Sequence, residues 1–579
     1  MTSQDSGTLV VSTDTLAPLA GDAPAQAEVV RAFAQGMATR EAPLDHVVTH
    51  MSHVFLGREH AYKLARARAH GFGDFSSLAA RRAACLAEFA LNRGLAPALY
   101  ESVKPVRMGP SGKVHIGGGG RLVDWVIIMR RFAPGALFSE LARDQRLTPD
   151  HVASAVDAVV RAHRAAPPLM QDGGVRDYEV ILGGLRKSHA AAQALGREIE
   201  NATALFEALE RRLHALASLL ERRRRGGWTR RGHGDLHLRN ICIFEGEVTL
   251  FDALAFDETL ATGDVLYDLA FLLMDLQARG LTHYANLAMN RYFDETQQPE
   301  WALALLAPFM ALRALVRMTV AEEAGDRNEA ALYHRLGLQL LDPPRQRLLA
   351  IGGLSGCGKS TIARLVAPSL PGPCGARVLR TDLIRKLAGA DARCDQTTDY
   401  SIDARRAVYR RLTTAAEETL VSGTSAIADA TFADSLARDQ FSAAFAERFT
   451  GVWLHASQAT RLARIAARRD DPSDITTAAA LGQIEPADLG PEWVIVEAEG
   501  PSDQVAERVT SAASLTPLAS ACWALSLDQP VAAPQVNAPH GRSFNPDAGQ
   551  AALTSIKDAP ASTGDLAQRR KSYGSAISI

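Results

Sequence analysis

Hydrophobic patterning predicts two domains in tandem, an α+β domain followed by an α/β domain with a parallel sheet, and then a tail with no core of its own. Three observations carry this. Short apolar runs around one helical stretch give way to long helical periodicity. After Pro343-Pro344 the pattern switches to strand, glycine loop, helix, strand, helix, the order of a parallel unit. Beyond about residue 525 large apolar side chains become rare. At 579 residues the chain is also too long for a single hydrophobic core.

In chain order, residues 1–40 read as a loose leader, with Ala25 to Ala38 as its one helical stretch. The first domain spans 41–342. Its opening part holds β-type runs at His53 to Leu56, His60 to Leu64 and Leu122 to Met129, a helix from Leu78 to Arg93, and a turn at Gly117 to Gly120. Helices follow to 342, interrupted at Gly232 to Asp257 by short apolar runs and turn residues that suggest a catalytic loop and a hairpin. Trp301 to Val316, broken by Pro308 and Arg313, reads as a buried helix rather than a membrane span. The α/β domain occupies 345–515. The last part, 525–579, is rich in Ala, Pro, Ser, Asp and Gln and is expected to stay disordered.

Composition narrows the function classes. A formal net charge of −2 offers no global attraction to nucleic acid or anionic lipid, so neither is an expected partner. The six cysteines show no CxxC pair, which argues against a zinc site or a disulfide framework and for a reducing, cytoplasmic setting. Of the 63 basic residues only 8 are Lys, so a lysine where phosphate chemistry needs one stands out.

The most specific motif is Gly353-x4-Gly358-Lys359-Ser360-Thr361, preceded by the apolar run Leu348 to Ile351 and followed by a helical stretch. Backbone N–H groups from Gly353 through Ser355, Gly356, Cys357 and Gly358 can turn inward on a β-phosphate. Lys359 can reach the β and γ phosphates, and Ser360 can ligate Mg2+. The next β-type runs end in Asp382 and Asp429, at the edge where ligands bind in open parallel sheets. Asp382 is placed to take a proton from an acceptor hydroxyl, with Arg385 binding the acceptor, or else it caps a helix. Asp429 is placed to hold the magnesium through water. Arg461, Arg464, Arg468 and Arg469 either close over phosphates as a lid or solvate a helix face.

A second set lies at His233-Gly-Asp235-Leu-His-Leu-Arg-Asn240, followed by Phe251-Asp252. The spacing H-x-D-x4-N with a later carboxylate suits phosphoryl transfer: Asp235 orients and deprotonates the acceptor, Asn240 and Asp252 hold magnesium, and His233 braces the loop. The cluster Arg222 to Arg225 just upstream reads as a solvated helix end or, less simply, as a lure for an anionic acceptor.

On these residues, 348 to 500 resemble the P-loop small-molecule kinases, a group with gluconate kinase-like and polynucleotide kinase-like domains; no arginine finger or sensor pattern suggests a ring-forming motor. The HGDxHxxN loop resembles the aminoglycoside phosphotransferase and choline kinase-like family, which has a protein-kinase-like fold. That resemblance implies a small-lobe lysine and a glutamate on the next helix, matched by Lys63 and Glu88, and an aspartate that steadies the catalytic loop, matched by Asp268. It also implies a loop covering phosphates before Lys63, for which Met51 to Gly57 is the available segment, without G-x-G-x-x-G. The combination resembles bacterial bifunctional aminoglycoside phosphotransferase/ATP-binding proteins. It implies ATP and Mg2+ as cofactors and a small-molecule hydroxyl as acceptor.

Overall fold

In the computed structural model, residues 9–11, 24–38, 44–49, 51–70, 73–255, 258–391, 402–467 and 480–514 are described. The amino-terminal sheet is antiparallel, with strands in the order Leu9–Val11, Asp45–Val48, Ser52–Leu56, His60–Ala65, Arg121–Arg130, Tyr100–Met108 and Val114–Ile116. Side chains alternate across it with period two. Tyr62 and Leu64 therefore enter one core beside Phe55, Val106 and Val126, while Ala61 enters another with Ile127, Met129, Tyr100 and Phe251. Lys63, between Tyr62 and Leu64, faces the second side, toward the helical lobe.

The leader is not loose where it is described. The helix Pro24–Ala38 buries Val29, Val30, Phe33, Ala34 and Met37 against the first face, and Leu9–Val11 adds an edge strand. Gln26 fastens this helix to the sheet, donating to Asp124 Oδ2 at 2.8 Å and to Ala65 O at 2.7 Å. The β-type run at His53 to Leu56 is a regular strand, Ser52–Leu56, so most of the Met51 to Gly57 segment offered as a cover for phosphates is sheet and the chain turns at Gly57 to Glu59.

The helical lobe is built around Val265–Ala278, every residue of which is buried, and Leu306–Ala324, which continues a short 3-10 turn at Glu300–Leu305. A helix apolar on all sides belongs at the centre of a lobe. Glu300–Ala324 is long and apolar enough to cross a membrane, yet 72% of its most apolar window is packed inside the protein. The hairpin Ile241–Phe244 and Glu247–Leu250 follows directly on the loop 233–240.

The second sheet has five parallel strands, in the order Arg377–Arg380, Ala426–Asp429, Leu348–Gly352, Phe449–His455 and Trp493–Glu497. Its central strand Leu348–Gly352 is buried throughout, as expected of a parallel strand covered on both faces. Strand Arg377–Arg380 is an edge of this sheet, and its outer side is covered by the helix Thr282–Thr296 of the preceding lobe. The described residues, 9 to 514, group as one compact unit. The tail expected at 525–579 lies outside the described residues.

Candidate active sites

Facing the helical lobe, Lys63 Nζ lies 2.8 Å from Glu88 Oε1 and 2.5 Å from Asp252 Oδ1. Burial alone would lower the lysine pKa, but the two carboxylates hold it well above its ordinary value, so Lys63 is a fixed cation. Burial raises Glu88, partly countered by Lys63. Glu88 is thus on the buried side of its helix and not among the solvated charges. Asn92, one turn further along the helix Leu78–Leu95, accepts from Ala253 N at 2.7 Å and so pins the chain next to Asp252. Asp252 itself sits at φ 60°, a left-handed conformation that an aspartate tolerates better than most residues.

The loop 233–240 is braced from below. Asp268 accepts the backbone N–H of His233 on Oδ2 and of Gly234 on Oδ1, each at 2.8 Å. His163 Nε2 lies 3.0 Å from the same Oδ2, and its Nδ1 is 2.8 Å from the Tyr292 hydroxyl. Burial would raise the Asp268 carboxyl, but His163, His233 and Arg313 hold it well below the usual carboxylate range. His233 points its ring at Phe251 O, 2.9 Å from Nε2, which ties the loop to the segment that carries Asp252. Arg313 donates to Gly234 O at 3.0 Å while lying over the Tyr267 ring, 3.7 Å from its centroid.

Asn240 donates through Nδ2 to Asp235 Oδ2 at 2.9 Å, leaving its amide oxygen as a free acceptor. Asp235 is pushed up by burial but pulled further down by His237, His233, Arg317 and Arg313, so it is ionised at neutral pH. His237 Nε2 is 3.5 Å from Asp235 Oδ2. An amide oxygen from Asn240 and the carboxylate of Asp252 are the hard oxygen donors that magnesium takes. Of the upstream arginines, Arg222 and Arg225 are exposed, as a solvated helix end would be, but Arg223 is not. Arg223 is fully buried and forked onto Asp264, with Nη2 to Oδ1 at 2.8 Å, and Arg222 stacks on Trp301. Sequence reasoning missed Tyr100, Asn92, His163, Arg313 and Asp264, which carry only the generic signal of polar residues in apolar surroundings.

In the second sheet, Gly356 (φ 89°) and Gly358 (φ 91°) adopt the left-handed conformation that lets the loop close. A Cβ on Gly356 would come within 2.5 Å of Arg461 O, so the position is closed to larger residues by backbone as well as by dihedral. Lys359 Nζ donates to Leu354 O at 3.2 Å, across the mouth of the loop. Ser360 Oγ donates to Asp429 Oδ2 at 2.5 Å, and Arg380 Nη2 approaches Ser360 Oγ at 3.5 Å. The hydroxyl and carboxylate pair again supplies hard oxygen donors. Burial raises Asp429, with Lys359 opposing it.

Thr361 lies exposed on the first turn of the helix Lys359–Val366, and the Cys357 thiol is buried under the loop, where burial raises its pKa. Asp382 lies in the first turn of the helix Thr381–Asp391, paired with Arg385 at 3.1 Å. Arg461 and Arg464 do not solvate their helix: they donate to Ser355 O at 3.4 Å and Cys357 O at 3.2 Å, fastening the glycine loop. Arg468 and Arg469 lie outside the described residues. Gln483, with no sequence signal, accepts from Ser355 N at 2.8 Å and donates to its hydroxyl at 3.1 Å.

The sequence model of the phosphotransferase enzyme family matches residues 75–307, and that of an AAA domain matches residues 348–487. Uncharacterized proteins of Mycobacterium tuberculosis and Mycobacterium bovis are 28% identical over 420 residues, covering 68% of this chain and 80% of theirs. Among solved structures, a gluconokinase from Sinorhizobium meliloti is 16% identical over 29% of this chain and 93% of its own, with a TM-score of 0.24. A Plasmodium vivax ethanolamine kinase is 11% identical over 56% of this chain and 96% of its own, with a TM-score of 0.35. An aminoglycoside phosphotransferase is 15% identical over 55% of this chain and 98% of its own, with a TM-score of 0.34. The chain thus joins, in tandem, a segment that matches the phosphotransferase enzyme family, at 75–307, and a segment that matches an AAA domain, at 348–487.

Proposed function

We propose that the chain moves the γ-phosphoryl of ATP to the hydroxyl of a small molecule and that it binds Mg-ATP at two places, the Lys63 site and the glycine loop 353–360. The observation that carries this is Asp235, held ionised and oriented by Asn240 on a loop whose backbone Asp268 fixes. Asp235 accepts the acceptor proton as its oxygen attacks, and Lys63, kept in place by Glu88, holds nucleotide phosphates. Asn240 with Asp252, and Ser360 with Asp429, are the residues that would hold magnesium, which when bound neutralises phosphate charge. In the second domain Asp382 and Arg385 face the acceptor, and Arg464 keeps the phosphate loop in shape. A cytoplasmic setting fits this reading.

An antibiotic polycation is a poor acceptor candidate. Of the acidic residues between 270 and 340, Glu322 is fully buried against His189 and Ile199 N, and Asp326 caps a helix. A second reading, in which one half binds nucleotide to regulate the other, draws support from the strand at 52–56, which leaves no glycine loop to close over phosphates.

The test is an ADP-release screen across sugars, amino alcohols, nucleosides and aminoglycosides with wild type, Asp235→Ala and Lys359→Ala. At least one acceptor is expected to raise turnover, and one substitution to remove the gain. Background hydrolysis alone, unchanged in both variants, would sink the kinase reading of both sites.

A further inference from the structure

Among the described residues the outer edge of strand Arg377–Arg380 has no strand partner, so its backbone groups need partners from elsewhere. Side chains of the helix Thr282–Thr296 supply them. Asn290 accepts from Val378 N at 2.8 Å and donates to Ala376 O at 3.1 Å, and Asn286 donates to Ala376 O at 2.9 Å. Arg377 completes the grip, with its guanidinium 2.6 Å from Asp294 and 3.0 Å from Glu300. At its carboxyl end the same strand delivers Arg380 and Thr381 to the Ser360 and Asp429 pair.

Two residues on from Asn290, and so on the opposite side of the helix, Tyr292 is bonded to His163. His163 bonds to Asp268, which holds the amides of His233 and Gly234. A continuous chain of hydrogen bonds and one rigid helix thus links the magnesium-side residues of the glycine loop to the catalytic loop of the other domain. Tyr292 is only 1% exposed, and a buried, close-packed element of this kind passes a shift on rather than absorbing it.

Building on the reading of the glycine loop as a nucleotide site, we propose that the helix Thr282–Thr296 couples the two sites. Nucleotide bound at 353–360 steadies the catalytic loop 233–240 through Asn290, Tyr292, His163 and Asp268.

The experiment uses full-length protein carrying Asp252→Asn, so that magnesium and a non-hydrolysable ATP analogue load the glycine loop alone. Calorimetry follows uptake, and hydrogen exchange follows the peptide containing His233 and Gly234. Uptake is expected to slow exchange in that peptide by about fivefold or more. Adding Lys359→Ala should remove uptake and slowing together. Adding Tyr292→Phe, or Asn290→Leu at the other end of the path, should keep uptake and remove the slowing. Uptake without slowing, or slowing that survives any of these additions, overturns the coupling while leaving the nucleotide site standing. No uptake at all overturns the nucleotide reading and the coupling with it.

Discussion

Asp268 and Asp235 show how two aspartates on neighbouring elements are put to different uses by their surroundings. Asp268 is buried and Asp235 only half-buried, and both are held below the usual carboxylate range, Asp268 by His163, His233 and Arg313, and Asp235 by the histidines and arginines around it. A carboxyl with a depressed folded-state pKa stabilises the fold above its unfolded value of about 3.9, and that contribution is lost as the pH falls further. The stability gap between wild type and Asp268→Asn, measured by urea unfolding, is therefore expected to be largest near neutrality and to shrink as the pH drops below about 4. At Asp235 the same depression bears on rate. The acid limb of kcat/KM should lie below a pH of about 4, and a limb near 6 to 7 would show that another group is the base. Removing the Asp268 side chain altogether, in Asp268→Ala, leaves two buried amides and the Nε2 of His163 unpartnered and should cost about 3–5 kcal/mol as well as turnover.

At the scale of elements, the strand His60–Ala65 places Lys63 by alternation alone. Its neighbours Tyr62 and Leu64 are committed to the opposite core, so the lysine has one direction left. The helix Pro24–Ala38 belongs to that core, and Phe33→Ala is expected to destabilise the protein by about 3–5 kcal/mol in denaturant unfolding; an effect near zero would return this segment to the status of a leader. The glycine loop is constrained in the same local way. Gly356→Ala meets Arg461 O and demands a left-handed alanine, a strain of about 1–3 kcal/mol, and calorimetry should show weaker nucleotide uptake at that loop with the other site unaffected. The strand Tyr100–Met108 escaped sequence reasoning because Glu101, Lys104, Pro105 and Arg107 break its apolar pattern. It forms because it pairs along most of its length with Arg121–Arg130, whose own pattern is plain.

At the scale of the whole molecule, the two domains meet through polar side chains that complete one another's backbone. Arg377, nearly buried between Asp294, Glu300 and the Phe293 ring, is the centre of that contact. Arg377→Ala leaves two carboxylates without their cation and is expected to cost about 3–5 kcal/mol. Hydrogen exchange should report the loss in both domains at once, and weakening confined to one would show that they unfold independently. The sequence by itself determined the two architectures, the glycine loop and the 233–240 loop, because each is written in contiguous residues whose spacing repeats a local geometry. It also placed the strand Arg377–Arg380 and the carboxylates at the ends of two parallel strands, since apolar runs and their boundaries are local. Only the tertiary structure decided that Arg223 is buried rather than solvated, that Arg461 and Arg464 fasten the glycine loop, and that Asn286, Asn290 and Tyr292 stand between the sites. Those roles depend on groups 41 to 129 residues away in the chain, and no periodicity within a helix reveals which distant atom its polar side chain will meet.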